Sequence, residues 1–147
     1  MLAKLEHYCA YQDRCHREVE DKLREYGADM DQKDEILLHL IKENFLNEER
    51  YARSYARGKF RIKKWGRIKI RIELKKNRIS DYCIEKGMSE IDEEDYWDCL
   101  RHLIILKNEQ SKIADLFIRR RRISEYLIRK GYEPNIVWEE LKRSITE

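Results

Sequence analysis

Apolar residues recur at intervals of three and four along most of the chain, the spacing that places them on one face of an α-helix. The clearest such face consists of Ile36, Leu37, Leu40, Ile41, Asn44 and Phe45. Asn47 followed by two glutamates predicts a helix start, and Asp92 followed by three acids repeats that signal. Pro134, the only proline, is typical of the first turn of a final helix.

The segment 68–74 fits the hydrophobic pattern of a strand and also that of a helix. Ile68, Ile70, Ile72 and Leu74 alternate with polar residues as in a strand, and they also form pairs four residues apart as in a helix. An internal repeat favours the helix, because its four-residue spacing before glycine is typical of a helix with a left-handed C-cap. Its three copies are Val19-x3-Leu23-x3-Gly27, Ile70-x3-Leu74-x3-Arg78 and Ile123-x3-Leu127-x3-Gly131.

The repeat divides the chain into three units, which we place at residues 1–58, 59–108 and 109–147. None of these units is large enough to bury much core alone, so we expect them to stack. The expected fold is all-α, with three tandem three-helix, helix-turn-helix-like repeats that form an elongated, curved solenoid. Leu37 and Ile41 in the first copy correspond to Leu141 and Ile145 in the third.

Composition agrees with a helical, soluble protein. Charged residues make up 41% of the 147 positions, against about 25% in an average protein, and glycine and proline together number only six. No apolar stretch is long enough for a membrane span, and the first residues lack the apolar region of a signal peptide. We therefore expect a cytoplasmic protein with no membrane partner. Because repeat proteins with capped ends often stay monomeric, we also expect a monomer.

The four cysteines, at positions 9, 15, 83 and 99, form no C-x2-C pair. A zinc site made by Cys9 and Cys15 with the nearby His7 and His16 is conceivable, but free buried thiols fit the spacing better. The five glycines are dispersed, which excludes a glycine-rich phosphate loop, and no serine lies in a nucleophile-elbow motif. We therefore expect neither a metal, nor another cofactor, nor a catalytic site.

Charge is unevenly distributed. The formal net charge is +3, but residues 57–78 alone carry +10, and residues 85–98 contain seven acids. Such segregation indicates charged partners. If the basic segment were one helix it would be about 33 Å long. The candidate partner-binding or DNA-binding residues are Arg57, Lys59, Arg61, Lys63, Lys64, Arg67, Lys69, Arg71, Lys75 and Lys76, with Arg119, Arg120 and Arg122 of a second cluster.

Trp65 interrupts these cations, as aromatic residues do in proteins that bind single strands by phosphate contact and base stacking. An aromatic residue at a helix start is more often an anchor in the core, and both interpretations stay open. Arg50 and Tyr51 are expected to be structural, with Arg50 bonding a nearby carboxylate or carbonyl group and Tyr51 packing between helices.

Three stretches of the chain, residues 44–52, 66–74 and 122–132, together resemble the RecX family of bacterial recombinase regulators. Residues 44–52, NFLNEERYA, resemble the family pattern G-Φ-Φ-D/N-D/E-x-R-F/Y-A, with Asn44 in place of glycine. Residues 66–74, GRIKIRIEL, resemble its G-x-x-x-I-x-x-E-L helix, and residues 122–132 resemble its third-repeat ending L-x-R-R-G-F. The likeness extends over essentially the whole chain, and Asn44 and Arg78 depart from the pattern.

The resemblance implies a regulator without catalytic activity. Members of this family bind the RecA recombinase, preferably its nucleoprotein filament on single-stranded DNA. They lie in the filament groove and typically reduce its ATPase, strand-exchange and co-protease activities, which act in recombination, DNA repair and the SOS response. We further hypothesise that the acidic stretch 85–98 meets a basic protomer surface.

Two other functions stay open. The chain can be a helical DNA-binding protein that acts directly on nucleic acid through residues 57–78, because three-helix units resemble helix-turn-helix motifs. Against this, the basic segment lacks a helix with Asn, Gln and Arg arranged for base edges, and its Lys and Arg residues suit phosphates. A helical scaffold with no role in nucleic-acid binding is the third alternative.

Overall fold

The computed structural model describes residues 1–146, and within that range the chain forms nine α-helices and no strand. This confirms the all-α class, and α5 confirms the helical interpretation of the ambiguous segment. The helices are α1 (Leu2–Tyr11), α2 (His16–Glu25), α3 (Met30–Lys42), α4 (Glu48–Arg61), α5 (Arg67–Lys76), α6 (Asp81–Met88), α7 (Glu93–Gln110), α8 (Leu116–Arg129) and α9 (Pro134–Ser144).

The predicted helix starts are confirmed. The side chains of Asn47 and Asp92 accept hydrogen bonds from the backbone of Arg50 and Asp95, so they cap α4 and α7. Pro134 lies in the first turn of α9. None of the described helices is both long and apolar enough to cross a membrane.

The helices associate in threes, as α1–α3, α4–α6 and α7–α9. α4 packs chiefly on α6, and α7, α8 and α9 pack on one another. The unit boundaries expected after residues 58 and 108 need correction, because both positions lie inside continuous helices, α4 and α7. The expected third unit, 109–147, also ends one residue beyond the described part of the chain.

The second helix of each unit ends in the same turn. Gly27, Arg78 and Gly131 have φ angles of +74°, +61° and +107°. The N–H of the residue after each donates to the carbonyl group of the repeat leucine, Leu23, Leu74 or Leu127, at 3.0–3.1 Å. The left-handed cap predicted at the glycines is therefore confirmed. Arg78 adopts it as well, although its Cβ disfavours that conformation.

Asn44, the other departure from the family pattern, closes α3 in the same way, with φ +61°. Arg50 stabilises this turn through hydrogen bonds from its guanidinium group to the carbonyl oxygens of Asn44 (3.0 Å) and Phe45 (3.2 Å). Its Nε also donates to Asp13 Oδ1 at 2.7 Å, which ties α4 to the first unit. Arg50 and the buried Tyr51 are structural, as expected.

The core is divided between the first unit and the other two. Leu5, Val19 and Leu40 belong to a cluster formed by the first unit alone. The second and third units share one larger cluster, to which Cys15 of the first unit also belongs. Ile41 is 44% exposed whereas Ile145 is buried, so the two residues that correspond in the repeat differ in burial. Three of the four cysteines are buried free thiols, and Cys99 is partly buried.

The accessible surface area agrees with an elongated stack of small units. The chain exposes 9297 Å². A compact monomer of 18.1 kDa is expected to expose about 8,100 Å². The larger observed area is what three small stacked units with a divided core should produce.

Residues 57–78 do not form the single long helix considered above. α4 ends at Arg61 and α5 begins at Arg67, and the turn between them includes Lys64 with φ +60°. The basic segment is therefore bent, and its turn lies against the third unit.

Candidate nucleic-acid interface

Three of the predicted cations are held by the acidic stretch 85–98. The guanidinium group of Arg57 forms an ion pair with Glu90 at 3.2 Å, Arg67 forms one with Glu93 at 2.8 Å, and Arg71 forms one with Glu85. The two segments that are oppositely charged in the sequence therefore partly neutralise each other in space. This finding weakens the hypothesis that the acidic stretch meets a basic partner, although Glu94 and Asp95 remain exposed.

Other predicted cations also have internal partners. Lys75 and Lys76 form ion pairs with Asp81 (2.7 Å) and Glu73 (3.3 Å). Arg119 donates to Asn108 Oδ1 and to the carbonyl group of Ile113, both at 2.9 Å, and Arg120 Nε donates to the carbonyl oxygen of Ile145 at 2.9 Å. Arg119 and Arg120 thus stabilise helix ends, whereas Arg122 is exposed.

Two of the remaining predicted cations flank Trp65. The Nζ atoms of Lys59 and Lys69 lie 4.9 and 4.4 Å from the centre of its ring. Tyr55 meets the same ring edge-on at 6.5 Å. Trp65 is half-buried and packs against the shared core, so its interpretation as an anchor is confirmed. It is also a fixed aromatic centre between two lysines.

The α4–α5 turn beside Trp65 carries three exposed cations, Arg61, Lys63 and Lys64. Lys64 Nζ donates to the carbonyl oxygen of Arg61 at 2.9 Å. Within residues 1–146, none of the three forms an ion pair with a carboxylate. Their charge is therefore not neutralised internally, in contrast to that of Arg57, Arg67 and Arg71.

The α8–α9 turn of the third unit brings further lysines to this surface. The backbone N–H groups of Gly66 and Ile68 donate to the carbonyl oxygens of Lys130 (2.9 Å) and Gly131 (3.0 Å). Within the third unit, Lys107 and Lys130 place their Nζ atoms 4.0 and 5.5 Å from the ring centre of Tyr126. Trp65 in the second unit and Tyr126 in the third unit are thus each flanked by two lysines.

We call these six residues the aromatic–lysine band: Lys59, Trp65, Lys69, Lys107, Tyr126 and Lys130. Lys107, Tyr126 and Lys130 were not among the residues predicted from the sequence. Tyr126 and Lys130 are four residues apart, as are Tyr55 and Lys59, and this helical spacing was an available signal. Lys107 gave no such signal, because it reaches Tyr126 only through the packing of α7 on α8.

Two buried tyrosines position the turn that carries the cations. The hydroxyl group of Tyr132 donates to the carbonyl oxygen of Lys64 at 3.0 Å, and that of Tyr96 accepts from the backbone N–H of Arg67 at 3.0 Å. Their rings stack at 5.1 Å. Burial is the main cause that raises the pKa of both phenols above the usual 10.0, so both stay protonated at neutral pH.

The band is chemically suited to a nucleic-acid strand. Lysine ammonium groups bind phosphates, and aromatic rings between them offer stacking surfaces that tolerate any base. Among residues 1–146, no three His, Cys, Asp or Glu side chains are arranged to hold a metal ion. Cys9 and Cys15 are thus buried without a metal-binding cluster around them.

Comparison with sequences of known function points to one family. The family model described as RecX, second three-helix domain, matches residues 47–88, which correspond to the α4–α6 unit. The regulatory protein RecX of Clostridium acetobutylicum is 30% identical over 138 residues, which cover 91% of this chain and 64% of that protein. The regulatory protein RecX of Bacillus mycoides is 28% identical, over 92% of this chain and 51% of that protein.

Solved structures share the fold. The crystal structure of RecX from Lactobacillus salivarius matches with a TM-score of 0.85 over 97% of this chain and 93% of that chain, at 24% identity. A second crystal structure, of a regulatory protein RecX, matches with a TM-score of 0.84 over 97% of this chain and 73% of that one, at 22% identity. The chain spans only about half to two thirds of the length of the curated relatives given above.

Proposed function

Since the chain belongs to the RecX family of regulatory proteins, we propose that it binds the RecA recombinase, preferentially as the nucleoprotein filament on single-stranded DNA. In this proposal it lies in the filament groove in the cytoplasm and reduces ATP hydrolysis, strand exchange and co-protease activity. The observation that carries the proposal is the aromatic–lysine band at the junction of the second and third units.

The shape and charge of the chain suit a filament. Three stacked units present a long surface, so one molecule can contact several protomers, and repeated contacts raise the overall affinity. The band and the exposed Arg61, Lys63 and Lys64 add a region that attracts phosphates. Because Arg57, Arg67 and Arg71 are neutralised by Glu90, Glu93 and Glu85, we assign the strand contact to the lysines of the band.

The second candidate is a protein that acts on DNA directly. The exposed cations favour it, because phosphate contacts alone give binding to any sequence. About five phosphate contacts to a single strand would give a slope of log K against log salt near −3.5. A protein that acts on DNA directly should show such a slope and should bind the filament no more tightly than the naked strand. The filament-binding proposal predicts tighter binding to the filament, so the two candidates can be distinguished.

The test is ATP hydrolysis by preformed RecA filaments on single-stranded DNA, with this protein titrated in at physiological salt. We expect inhibition at concentrations well below those needed to bind the DNA alone. A variant with Lys59→Gln, Lys69→Gln and Lys130→Gln should inhibit at least tenfold less well.

The matched control replaces three other lysines, Lys33→Gln, Lys42→Gln and Lys142→Gln. These lysines lie outside the band and form no ion pair within residues 1–146, so the net charge changes equally. The control variant should inhibit like the wild type. If the wild-type protein leaves hydrolysis unchanged while it still binds DNA, the filament proposal is wrong and direct DNA binding takes its place.

A further inference from the structure

The first unit contains a groove that the proposed function does not use. It has a volume of about 500 Å³ and lies along α1 and α2, distant in sequence from the band. Three tyrosines and three cations line it, namely Tyr8, Tyr11 and Tyr26 with Lys4, Arg14 and Lys22. The groove therefore combines the same two kinds of group as the band, aromatic rings and positive charges.

The cations of the groove lie over its rings. Arg14 Cζ is 3.8 Å from the ring centre of Tyr8, and Lys22 Nζ is 5.4 Å from it. Lys4 Nζ lies 5.3 Å from the ring centre of Tyr26. Arg14 Nε also donates to the carbonyl oxygen of Tyr8 at 3.1 Å, so this side of the groove is fixed.

The other side of the groove is open. Tyr11 is 77% exposed, and within the described residues its ring contacts no other ring or cation. Within the described residues, Lys4 forms no ion pair. Arg14 forms one with Glu18 (3.7 Å), and Lys22 forms one with Glu25 (3.4 Å). Tyr11 and Tyr26 thus offer ring surface, and Lys4 offers the least neutralised charge of the groove.

We propose that this groove is a second contact site for single-stranded nucleic acid, in which bases stack on Tyr11 and Tyr26 and a phosphate binds Lys4. A volume of about 500 Å³ lies within the range of sites that hold a ligand of about nucleotide size. Exposed aromatic rings beside an ammonium group match a base joined to a phosphate. An apolar peptide would leave Lys4 without a counter-charge.

This inference rests on the proposed function, because it assumes that the chain meets a single strand. It adds that the strand or its end reaches the first unit as well as the junction of the second and third units. Two separate contacts on one strand raise the affinity, since binding at one site increases the local concentration of strand at the other.

The test combines cross-linking with affinity measurement on the full chain. Single-stranded DNA that contains 5-iodouracil is irradiated with the protein, and the modified residues are mapped by mass spectrometry. We expect cross-links at Tyr11 or Tyr26 in addition to the band. Cross-links at the band alone would overturn the inference.

Affinity for an oligothymidylate is then measured by fluorescence anisotropy. The variant Tyr11→Ser/Tyr26→Ser should bind at least about fivefold more weakly, the loss expected when a stacking ring is removed. Lys4→Gln should lower the magnitude of the salt slope by about 0.7, which corresponds to one phosphate. All three side chains are exposed, so neither variant should disturb folding.

The control is a tyrosine–lysine pair that lies outside both this groove and the aromatic–lysine band. Tyr82 is 64% exposed on α6, with Lys86 Nζ 5.3 Å from its ring centre. Tyr82→Ser/Lys86→Gln should bind the oligonucleotide like the wild type. Equal affinity of wild type and groove variants would refute the groove site and leave filament inhibition by the wild type untouched. If the wild-type protein does not inhibit ATP hydrolysis by the filament, the proposed function is wrong, whether or not the groove binds a single strand.

Discussion

Gly66 and Gly131 bring the second and third units into direct backbone contact. A Cβ atom on Gly66 would lie 2.2 Å from the carbonyl carbon of Gly131, and one on Gly131 would lie 2.4 Å from Cβ of Lys69. The backbone hydrogen bond from Gly66 to Lys130 depends on this approach. The two glycines therefore allow the α4–α5 turn, which carries Trp65, to touch the α8–α9 turn, which follows Lys130.

Replacing Gly66 with alanine should separate the two units. Its Cβ would meet backbone atoms, which cannot rotate away, so we expect Gly66→Ala to reduce the free energy of unfolding by about 2 kcal/mol or more. The control is Gly58→Ala inside α4, where a Cβ meets nothing within 4 Å and should stabilise the helix by about 0.5–1 kcal/mol. Urea unfolding measures both, and equal stability of the two variants would contradict the account.

Replacing Arg78 with glycine should make the protein more stable. Its φ of +61° costs about 1 kcal/mol for a residue with a Cβ, so Arg78→Gly should raise the free energy of unfolding by up to about that amount. Arg78→Ala is the matched control, because it removes the exposed ion pair with Glu20 and keeps the Cβ. Chemical denaturation of both variants should rank glycine above alanine, and the reverse order would refute strain at this cap.

Glu140 is a buried carboxylate that depends on Arg101. Only 1% of its surface is exposed, and Arg101 Nε donates to its Oε1 at 2.7 Å. Arg101→Met should lower the free energy of unfolding, because it leaves the buried carboxylate with Arg143 alone, 3.6 Å from Oε2.

Adding Glu140→Gln to Arg101→Met should recover part of that loss, as measured by a double-mutant cycle in urea. The control is Arg24→Met, which removes an exposed ion pair with Asp21 and should cost less than about 1 kcal/mol. An equal cost for Arg101→Met and Arg24→Met would show that the buried carboxylate does not need its partner.

Alkaline pH should destabilise the fold through three tyrosines. Burial is the main cause that raises the pKa of Tyr51, Tyr96 and Tyr132 above 10.0, so folding favours the neutral phenols. The stability they contribute is complete below pH 10 and is lost as the pH rises above it, because the unfolded chain then releases protons that the folded chain retains.

Above pH 10, each of these tyrosines makes the free energy of unfolding fall by up to about 1.4 kcal/mol more per pH unit. Tyr132→Phe should therefore reduce the slope of unfolding free energy against pH above pH 10 by up to that amount. Denaturation at a series of alkaline pH values measures the slope. An unchanged slope in Tyr132→Phe would contradict the inference that its phenol must stay protonated.

The helical class and the helix starts could be predicted because they depend on local chemistry. Asn47, Asp92 and Pro134 act within one turn of their own positions. The repeat predicted that Ile70 and Leu74 lie on a helix. It also predicted the left-handed cap, which Arg78 adopts without glycine because the turn is fixed by hydrogen bonds to Lys75 and Leu74.

The site was less predictable because it depends on contacts between units. Local charge identified residues 57–78, but it could not show that Arg57, Arg67 and Arg71 face carboxylates from another part of the chain. Lys130 joins Lys69 only because Gly66 and Gly131 pack together. A charge run indicates which segment is basic, and only packing determines which of its cations lack a counter-charge.

The unit boundaries were misplaced for a related reason. The repeat motif marks the second helix of each unit, and it carries no information on where the first helix begins. Asn47 and Asp92, which cap α4 and α7, lie at the true starts of the second and third units.

We propose that the band binds a recombinase filament in preference to free DNA. The most direct test of this preference measures the affinity of the labelled protein for preformed RecA filaments and for the same naked single strand, at one salt concentration. We predict tighter binding to the filament, and at least tenfold weaker filament binding by the variant with Lys59→Gln, Lys69→Gln and Lys130→Gln. Equal affinity for both partners, or full filament binding by that variant, would contradict the account.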